Sequence, residues 1–409
     1  MILKDTLKGI VRSQREEISN FDYGIERENV AKIEPNVSFA VIISGVRRCG
    51  KSTLLRQLIK KLNGFYYFNF EDPKAINFEV GDFQKLNDVF KEEYGSHYYY
   101  FFDEIQNVHQ WELFVRAMLD KDKKIIITGS NASLLSKELG TRLTGRHLRY
   151  ELFPFSYREF LNFTNKKPNI NSFQHYFIKG GFPEYLKFNN AQILQELLND
   201  ILVRDIAVRY NIRSIKTLKE MALYLITNIG KEFSYNLLKR TFDLGSTNTV
   251  IDFVSYFEDS YLLFTIQKFD YSLKKQLVNP KKIYSIDNGL SNANSTSFSG
   301  DKGRMLENIV FINLRKKYKE IFYFQEKNEC DFVVKQGTNI SNAIQVCYDL
   351  NEDNKKREIN GILGAMKKFK LKEGLILTYD QEDKIKTDNS KIIIMPVWKW
   401  LMQRKQMFV

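Results

Sequence analysis

Apolar positions in the first third of the chain fall in short unbroken runs separated by stretches of helical period. The runs are FAVIIS (39–44), FYYFNF (65–70), YYYFFDE (98–104), KIIITGS (124–130) and HLRYELF (147–153). Between them lie segments such as STLLRQLIKKL, whose apolar residues recur three and four apart. Buried-type strands alternating with helices predict a parallel sheet covered on both faces. Residues 1–35 read as a polar, helix-prone lead-in. From Phe155 to about Tyr210 the pattern is helical, interrupted by Gly180-Gly181-Phe182-Pro183.

Three helical segments then follow, TLKEMALYLITNI, SYNLLKRTF and STNTVIDFVSYFEDS, and after them the β-prone runs 261–268 and 281–287. Three short helices and a hairpin is the order of a winged helix. SNANSTSFSG (291–300) reads as a linker. Beyond it come a helix at 303–318, β-runs at 321–325, 330–335 and 343–348, a helix near 355–369, and strands at 374–379 and 392–396. These predict a second small α/β domain. The expected organisation is 1–155, a sheet domain with its lead-in; 156–212, a helical lid; 213–290, a winged helix; and 291–409, the second α/β domain.

The first β-run opens into Gly45-Val46-Arg47-Arg48-Cys49-Gly50-Lys51-Ser52, which fits G-x-x-x-x-G-K-[ST] at every fixed position, with a strand before it and a helix after it. Such glycines let successive backbone N–H groups turn inward around phosphates at the positive end of the following helix. Lys51 can reach the terminal phosphates, and the Ser52 hydroxyl can hold Mg²⁺. The candidate nucleotide-binding set is therefore Gly45, Val46, Arg47, Arg48, Cys49, Gly50, Lys51, Ser52 and Thr53. The aromatic run at 98–102 ends in Asp103-Glu104. An apolar strand ending in Asp puts a carboxylate at the sheet's C-terminal edge, beside the phosphate loop, to hold Mg²⁺ through water. Glu104 then stands where it can orient and deprotonate a water attacking the γ-phosphate. ATP and Mg²⁺ are the implied cofactors, and the fold class is a P-loop NTPase core with the glutamate beside the magnesium aspartate.

The next run ends Thr128-Gly129-Ser130-Asn131. Ser130, with Asn131 in reserve, is the candidate contact to the γ-phosphate or its attacking water; the alternative is an N-cap for the helix starting near Ala132. Arg142 and Arg146 follow, and either can stabilise charge on the γ-phosphate, within the chain or from a neighbouring subunit, or be an ordinary surface arginine. Glu71 and Asp72 end the second run and are left unassigned between the site and a turn cap.

Composition narrows the partners. Lys and Arg number 62 against 49 Asp and Glu, a net charge of +13, which favours polyanions, nucleic acid first, or else serves solubility. Three cysteines without metal-ligand spacing argue against a zinc site or a disulfide framework and fit a reducing compartment. No apolar run reaches the ~18 residues of a membrane span, so a cytoplasmic protein is expected. DNA and a protein partner both stand as candidates, and an oligomer is compatible with an arginine supplied in trans.

The chain resembles a group of prokaryotic AAA-plus-like ATPases with a C-terminal domain of long-unassigned function. The resemblance is carried by GVRRCGKSTLL, NFEDP (69–73), FFDEIQNVHQWELFVR (101–116), ITGSNASLLSKEL (127–139), GRHLRYELFPFSYREFL (145–161), GGFPEYL (180–186), LVRDIAVRY (202–210) and FEDSYLLF (257–264). It implies a five-strand core and ATP with Mg²⁺. It further implies that the last domain is similar to the PD-(D/E)xK, or restriction-nuclease-like, α/β fold, which expects a helix Glu, an Asp on one strand and E-x-K on the next. Glu307 and Asp331 match the first two. Gln345 stands for the second metal carboxylate and Cys347 for the lysine, so the charge that draws a divalent cation and the cationic head are both lost. Two readings follow from the resemblance: a retired nuclease used for binding or assembly, with a vestigial site at Glu307, Asp331 and Gln345, or an active one in which Glu307 and Asp331 still hold a metal weakly and cleave DNA. Within the presumed winged helix, STNTVIDFVSYFEDS carries no Lys or Arg, and positive charge gathers at Lys268, Lys274, Lys275, Lys281 and Lys282 near the wing, an arrangement either for phosphate contacts without base readout or, the reading slightly favoured, for a winged helix that serves as a packing module beside the ATPase.

Overall fold

The computed structural model describes residues 1–131, 145–295, 301–387 and 390–403. The chain divides into two compact units, Met1–Phe153 and Pro154–Val409.

The first unit is built on five parallel strands: β1 (Ala40–Ser44), β2 (Phe65–Asn69), β3 (Tyr99–Asp103), β4 (Lys124–Gly129) and β5 (His147–Glu151). Their order is β2-β3-β4-β1-β5, so β4 lies between the strand that leads into the phosphate loop and the strand that ends in Asp103. β1 is buried at every position and β4 at all but its first, which is why both read as continuous apolar runs rather than alternating ones. The expected strands and the observed ones agree to within one or two residues at each end. The polar lead-in holds the helix Lys4–Ser19, and one face of it (Leu7, Ile10, Val11, Ile18) is buried. Leu7, Ile10 and Val11 join Tyr66, Phe68, Phe83, Phe102 and Trp111 in one apolar core. Gln14 on the same helix is buried, and its carboxamide donates to the Asn69 carbonyl (3.2 Å) and accepts from the Asn69 N–H (2.9 Å). It satisfies backbone groups that edge strand β2 would otherwise expose.

The second unit begins with helices Tyr157–Thr164 and Ile170–Lys179, each opened by a reciprocal cap, Ser156 with Glu159 and Asn169 with Ser172. Helices Pro183–Phe188 and Gln192–Asp200 follow, and the latter continues into a π-helical stretch, Ile201–Val208. Helices Ile215–Thr227, Tyr235–Thr241 and Thr247–Asp259 come next, with a short strand β6 (Glu232–Phe233) between the first two. The remaining strands are β7 (Leu263–Lys268), β8 (Lys281–Ser285), β9 (Ile321–Gln325), β10 (Glu329–Gln336), β11 (Asn339–Val346), β12 (Glu373–Thr378), β13 (Asp383–Thr387) and β14 (Ser390–Pro396).

All nine strands form one sheet, ordered β13-β14-β12-β11-β10-β9-β7-β8-β6. β9, β10 and β11 form an antiparallel meander. Helix Glu352–Phe369 then crosses over to β12, which runs parallel to β11. β7 pairs with β9 in parallel, Gln267 opposite Phe322, so the sheet passes without a break from the 213–290 segment into the 291–409 segment. The stretch expected as a linker begins inside a helix, Asn288–Asn294, capped by Asp287. That cap also accepts from Gly181 N–H (2.7 Å), and Gly180 and Gly289 pack so close to the Asp287 carboxylate that a Cβ on either would meet Oδ1 at 2.0 and 3.0 Å.

Candidate functional site: a phosphate loop and a carboxylate cluster

β1 delivers the chain into the loop 45–50. A Cβ on Gly45 would lie 2.1 Å from the Leu152 carbonyl oxygen, and Gly50 caps the next helix at φ +98°, where a Cβ would meet the Arg27 guanidinium at 2.9 Å. Both glycines are therefore sterically required. Helix Lys51–Ile59 starts at once, with its N-terminal N–H groups at the loop. Lys51 is buried; its ammonium donates to the carbonyls of Gly45 (3.2 Å) and Val46 (3.3 Å) and lies 3.3 Å from Glu104 Oε1. Arg47 pairs with Glu71 at 3.2 Å. Arg48 adopts positive φ in the turn. The Cys49 thiol is buried against the Leu152 carbonyl, and burial pushes its pKa up. Ser52 and Thr53 are half-buried in the first helical turn.

Asp103 ends β3, 1% exposed, accepting from the hydroxyls of Tyr67 (3.2 Å), Thr128 and Ser52. Burial, and then the neighbouring Glu104, push its carboxyl above the ordinary range. A buried carboxylate next to a serine hydroxyl and a second carboxylate fits a cation held mainly by phosphate and water, so these residues suit Mg²⁺. Glu104 adopts a left-handed backbone (φ 50°) that turns its side chain back to the loop, while its N–H donates to Thr128 Oγ1 (2.9 Å). Burial opposes its charge, but Lys51, the Gln106 amide and Arg47 hold its carboxyl below the usual value. Ser130 is 2% exposed, and its hydroxyl has no hydrogen-bond partner among the described residues.

The structure thus gathers Lys51, Ser52, Asp103 and Glu104 at one sheet edge, with Ser130 ending the strand between them. It does not bring Arg146 to that edge. Arg146 precedes β5, its carbonyl accepts from Ala40 N–H at the start of β1, and its guanidinium pairs with Asp120 at 2.5 Å, at the opposite end of the sheet. Arg142 and the helix expected after Asn131 lie outside the described residues. Glu71 is tied to Arg47, and Asp72 caps a short turn by accepting from Lys74 N–H.

Sequence reasoning missed Arg27. Its buried guanidinium donates to the Cys49 carbonyl and the Phe153 carbonyl, 2.7 Å each, and so bolts the loop to the end of the fifth strand's exit. An arginine in a polar lead-in carries no local signal for this. Gln106 was also missed, although its place two residues after Glu104 could have drawn notice.

A second polar cluster lies in the C-terminal unit. Glu307, on helix Lys302–Arg315, and Asp331, on β10, are both buried and share one partner, Lys282 of β8, at 3.0 and 3.1 Å; Glu329 joins them at 2.5 Å. Tyr284 donates to Glu307 Oε1 (2.6 Å). The Gln345 carboxamide accepts from Asp331 N–H (3.1 Å) and donates to Glu358 (2.6 Å). Lys281 and Lys282, expected on an exposed wing, are buried at 7% and 3% exposure. Strand β8 is covered on both faces, so neither is available for phosphate contacts.

A five-stranded parallel sheet of this order, with the phosphate loop after β1 and Asp-Glu after β3, defines a nucleotide-binding P-loop protein of the AAA class. Residues 38–161 match the model of the AAA domain, 170–300 that of Domain of unknown function (DUF8612), and 302–400 that of Domain of unknown function (DUF4143). An uncharacterized protein of Methanocaldococcus jannaschii is 39% identical over 408 residues, covering 92% of this chain and 90% of that one. An uncharacterized protein of Haemophilus influenzae is 29% identical over 392 residues, covering 90% and 95%. The chain belongs to the family of the M. jannaschii protein. Among solved structures, AMPPCP-bound DnaA from Aquifex aeolicus aligns at 15% identity over 59% of this chain and 90% of that one, with a TM-score of 0.30. Among the described residues no helix is long and apolar enough to cross a membrane.

Proposed function

We propose that the chain hydrolyses ATP with Mg²⁺ and uses the cycle as a nucleotide-dependent switch or motor associated with DNA. The observation that carries this reading is the convergence of Lys51, Ser52, Asp103 and Glu104 on the loop 45–50. Lys51 exchanges the carbonyls of Gly45 and Val46 for the β- and γ-phosphates, and Ser52 and Asp103 hold Mg²⁺. Glu104, ionised beside Lys51, takes the proton of the attacking water. The Ser130 hydroxyl, without a partner among the described residues, donates to the γ-phosphate or the water. An arginine from a neighbouring subunit would complete the charge balance.

The second unit's element order supports a helical lid, a winged helix and a retired nuclease-like region. Three helices with a strand after the first, then the β7–β8 hairpin returning to pair with β6, follow winged-helix order. Helix, three-strand meander, crossover helix and parallel strand follow the nuclease-like order.

DNA association rests on the +13 charge. It predicts ATP turnover stimulated by duplex or single-stranded DNA, with the stimulation fading as salt rises. Turnover indifferent to both nucleic acids at every salt concentration removes DNA from the account. One observation favours a second reading, a nucleotide-gated scaffold for a protein partner: with Lys281 and Lys282 buried, Lys274 and Lys275 are the exposed lysines left on the wing, and helix Thr247–Asp259 offers no cation. A scaffold shows a change of mass by light scattering between ATP and ADP.

A further inference from the structure

β8 carries a cation into a cluster made by other elements. Residues 282 and 284 share one face of the strand, and that face meets Glu307 from its helix and Glu329 and Asp331 from β10. Lys282 Nζ lies 3.0 Å from Glu307 Oε1, 2.5 Å from Glu329 Oε1 and 3.1 Å from Asp331 Oδ1, with its side chain 4% exposed. An ammonium has three N–H donors and no acceptor; here each donor has a carboxylate to meet.

Three carboxylates converging on one point form an oxygen set of the kind that takes a divalent cation. Among the described residues no group of three or more His, Cys, Asp or Glu side chains is arranged to hold a metal ion, and in this cluster the point between the carboxylates is taken by nitrogen. The rest of the cluster is closed around that arrangement. Asp331 Oδ2 accepts from Val346 N–H (2.9 Å), Gln345 is spent on Asp331 N–H and Glu358, and the Cys347 thiol donates to the Asp349 carbonyl (3.2 Å).

We propose that Lys282 is the resident cation of this cluster, its ammonium occupying the place of a divalent metal between Glu307, Glu329 and Asp331, so that the native chain binds no metal there. One positive charge among three carboxylates leaves the cluster short of cation. Burial and then Glu307 push the Asp331 carboxyl up, while the carboxylates hold Lys282 charged against its own burial. The ammonium also ties the β7–β8 hairpin to β10 and to helix Lys302–Arg315, which makes it a structural key between segments. The inference rests on the retired-nuclease reading only in treating the cluster as a metal set; the distances stand without it.

The test is Mn²⁺ uptake by the nucleotide-free full chain, read by loss of the free-ion EPR signal, with thermal melting alongside. Wild type is expected to take up no Mn²⁺ that depends on Asp331, and its melting temperature is expected to ignore the ion. Lys282→Met is expected to melt earlier, to recover with Mn²⁺, and to bind it at least about tenfold more tightly than wild type; adding Asp331→Asn removes the gain. Asp331-dependent uptake by wild type overturns the assignment, as does a folded Lys282→Met that takes up none. Should Lys282→Met fail to fold even with Mn²⁺, the wild-type comparison with Asp331→Asn decides alone. Mn²⁺-dependent nicking of supercoiled DNA that Lys282→Met abolishes would also overturn it, by making the lysine a catalytic group. Nicking reports on the retired-nuclease reading and uptake on the resident cation, so the two failures are distinguishable.

Discussion

Lys51 and Glu104 form a buried pair across the loop, Nζ to Oε1 3.3 Å, with side chains 4% and 12% exposed. The pair joins the two elements of the site before any phosphate enters, and it keeps Glu104 ionised against burial. Lys51→Ala removes both the phosphate contact and the countercharge. Binding of a fluorescent ATP analogue is expected to weaken at least about tenfold, and thermal melting to drop, because a buried carboxylate loses its partner.

Ser130 separates its two readings cleanly. Its buried hydroxyl has no partner among the described residues, so Ser130→Ala removes no hydrogen bond to any of them. Stability is expected to stay within about 0.5 kcal/mol, while ATP turnover falls on the order of tenfold or more through the lost contact to transferring charge. An N-cap role gives the reverse, a loss of about 1 kcal/mol in denaturant melts with turnover intact.

Arg27 holds two carbonyls with one planar fork. Arg27→Ala leaves the carbonyls of Cys49 and Phe153 short of a charged donor, at a cost of about 2–3 kcal/mol, read as a shifted urea midpoint. Arg27→Lys is expected to recover little, because an ammonium on an unbranched stem lacks the fork that reaches both.

Asp287 gives the C-terminal unit a pH signature. Burial raises its carboxyl to about 6, against the pull of the Gly181 and Leu290 N–H groups. The folded state then holds a proton that the unfolded chain releases near the ordinary aspartate value of 3.8. Between those values the folded state binds more protons, so stability falls as pH rises from about 4 to about 6, by on the order of 2 kcal/mol, and levels off above. Urea midpoints of wild type and Asp287→Asn across this range check it: the slope is expected in wild type and absent in the variant.

The five strands of the first sheet were legible because a strand buried on both faces is an unbroken apolar run, and the loop because its spacing is set by backbone geometry around phosphate. What escaped reading depends on distant partners. Lys282 sits in KKIYS, a pattern that serves equally for an exposed wing and a buried strand, and its carboxylates lie 25, 47 and 49 positions later. Nothing local distinguishes a lysine in water from one that neutralises a buried cluster. β13 alternates Asp, Lys, Ile, Lys and Thr at the sheet's edge, and so resembles a loop. Arg27 acts through main-chain carbonyls, which carry no side-chain signature at all.

ATP turnover by wild type and Glu104→Gln tests the central claim most directly. Hydrolysis by wild type that falls about 10²–10⁴-fold in the variant, with nucleotide binding kept, is the predicted result. Equal turnover in the two proteins contradicts the assignment of Glu104 as the base and with it the account of the site.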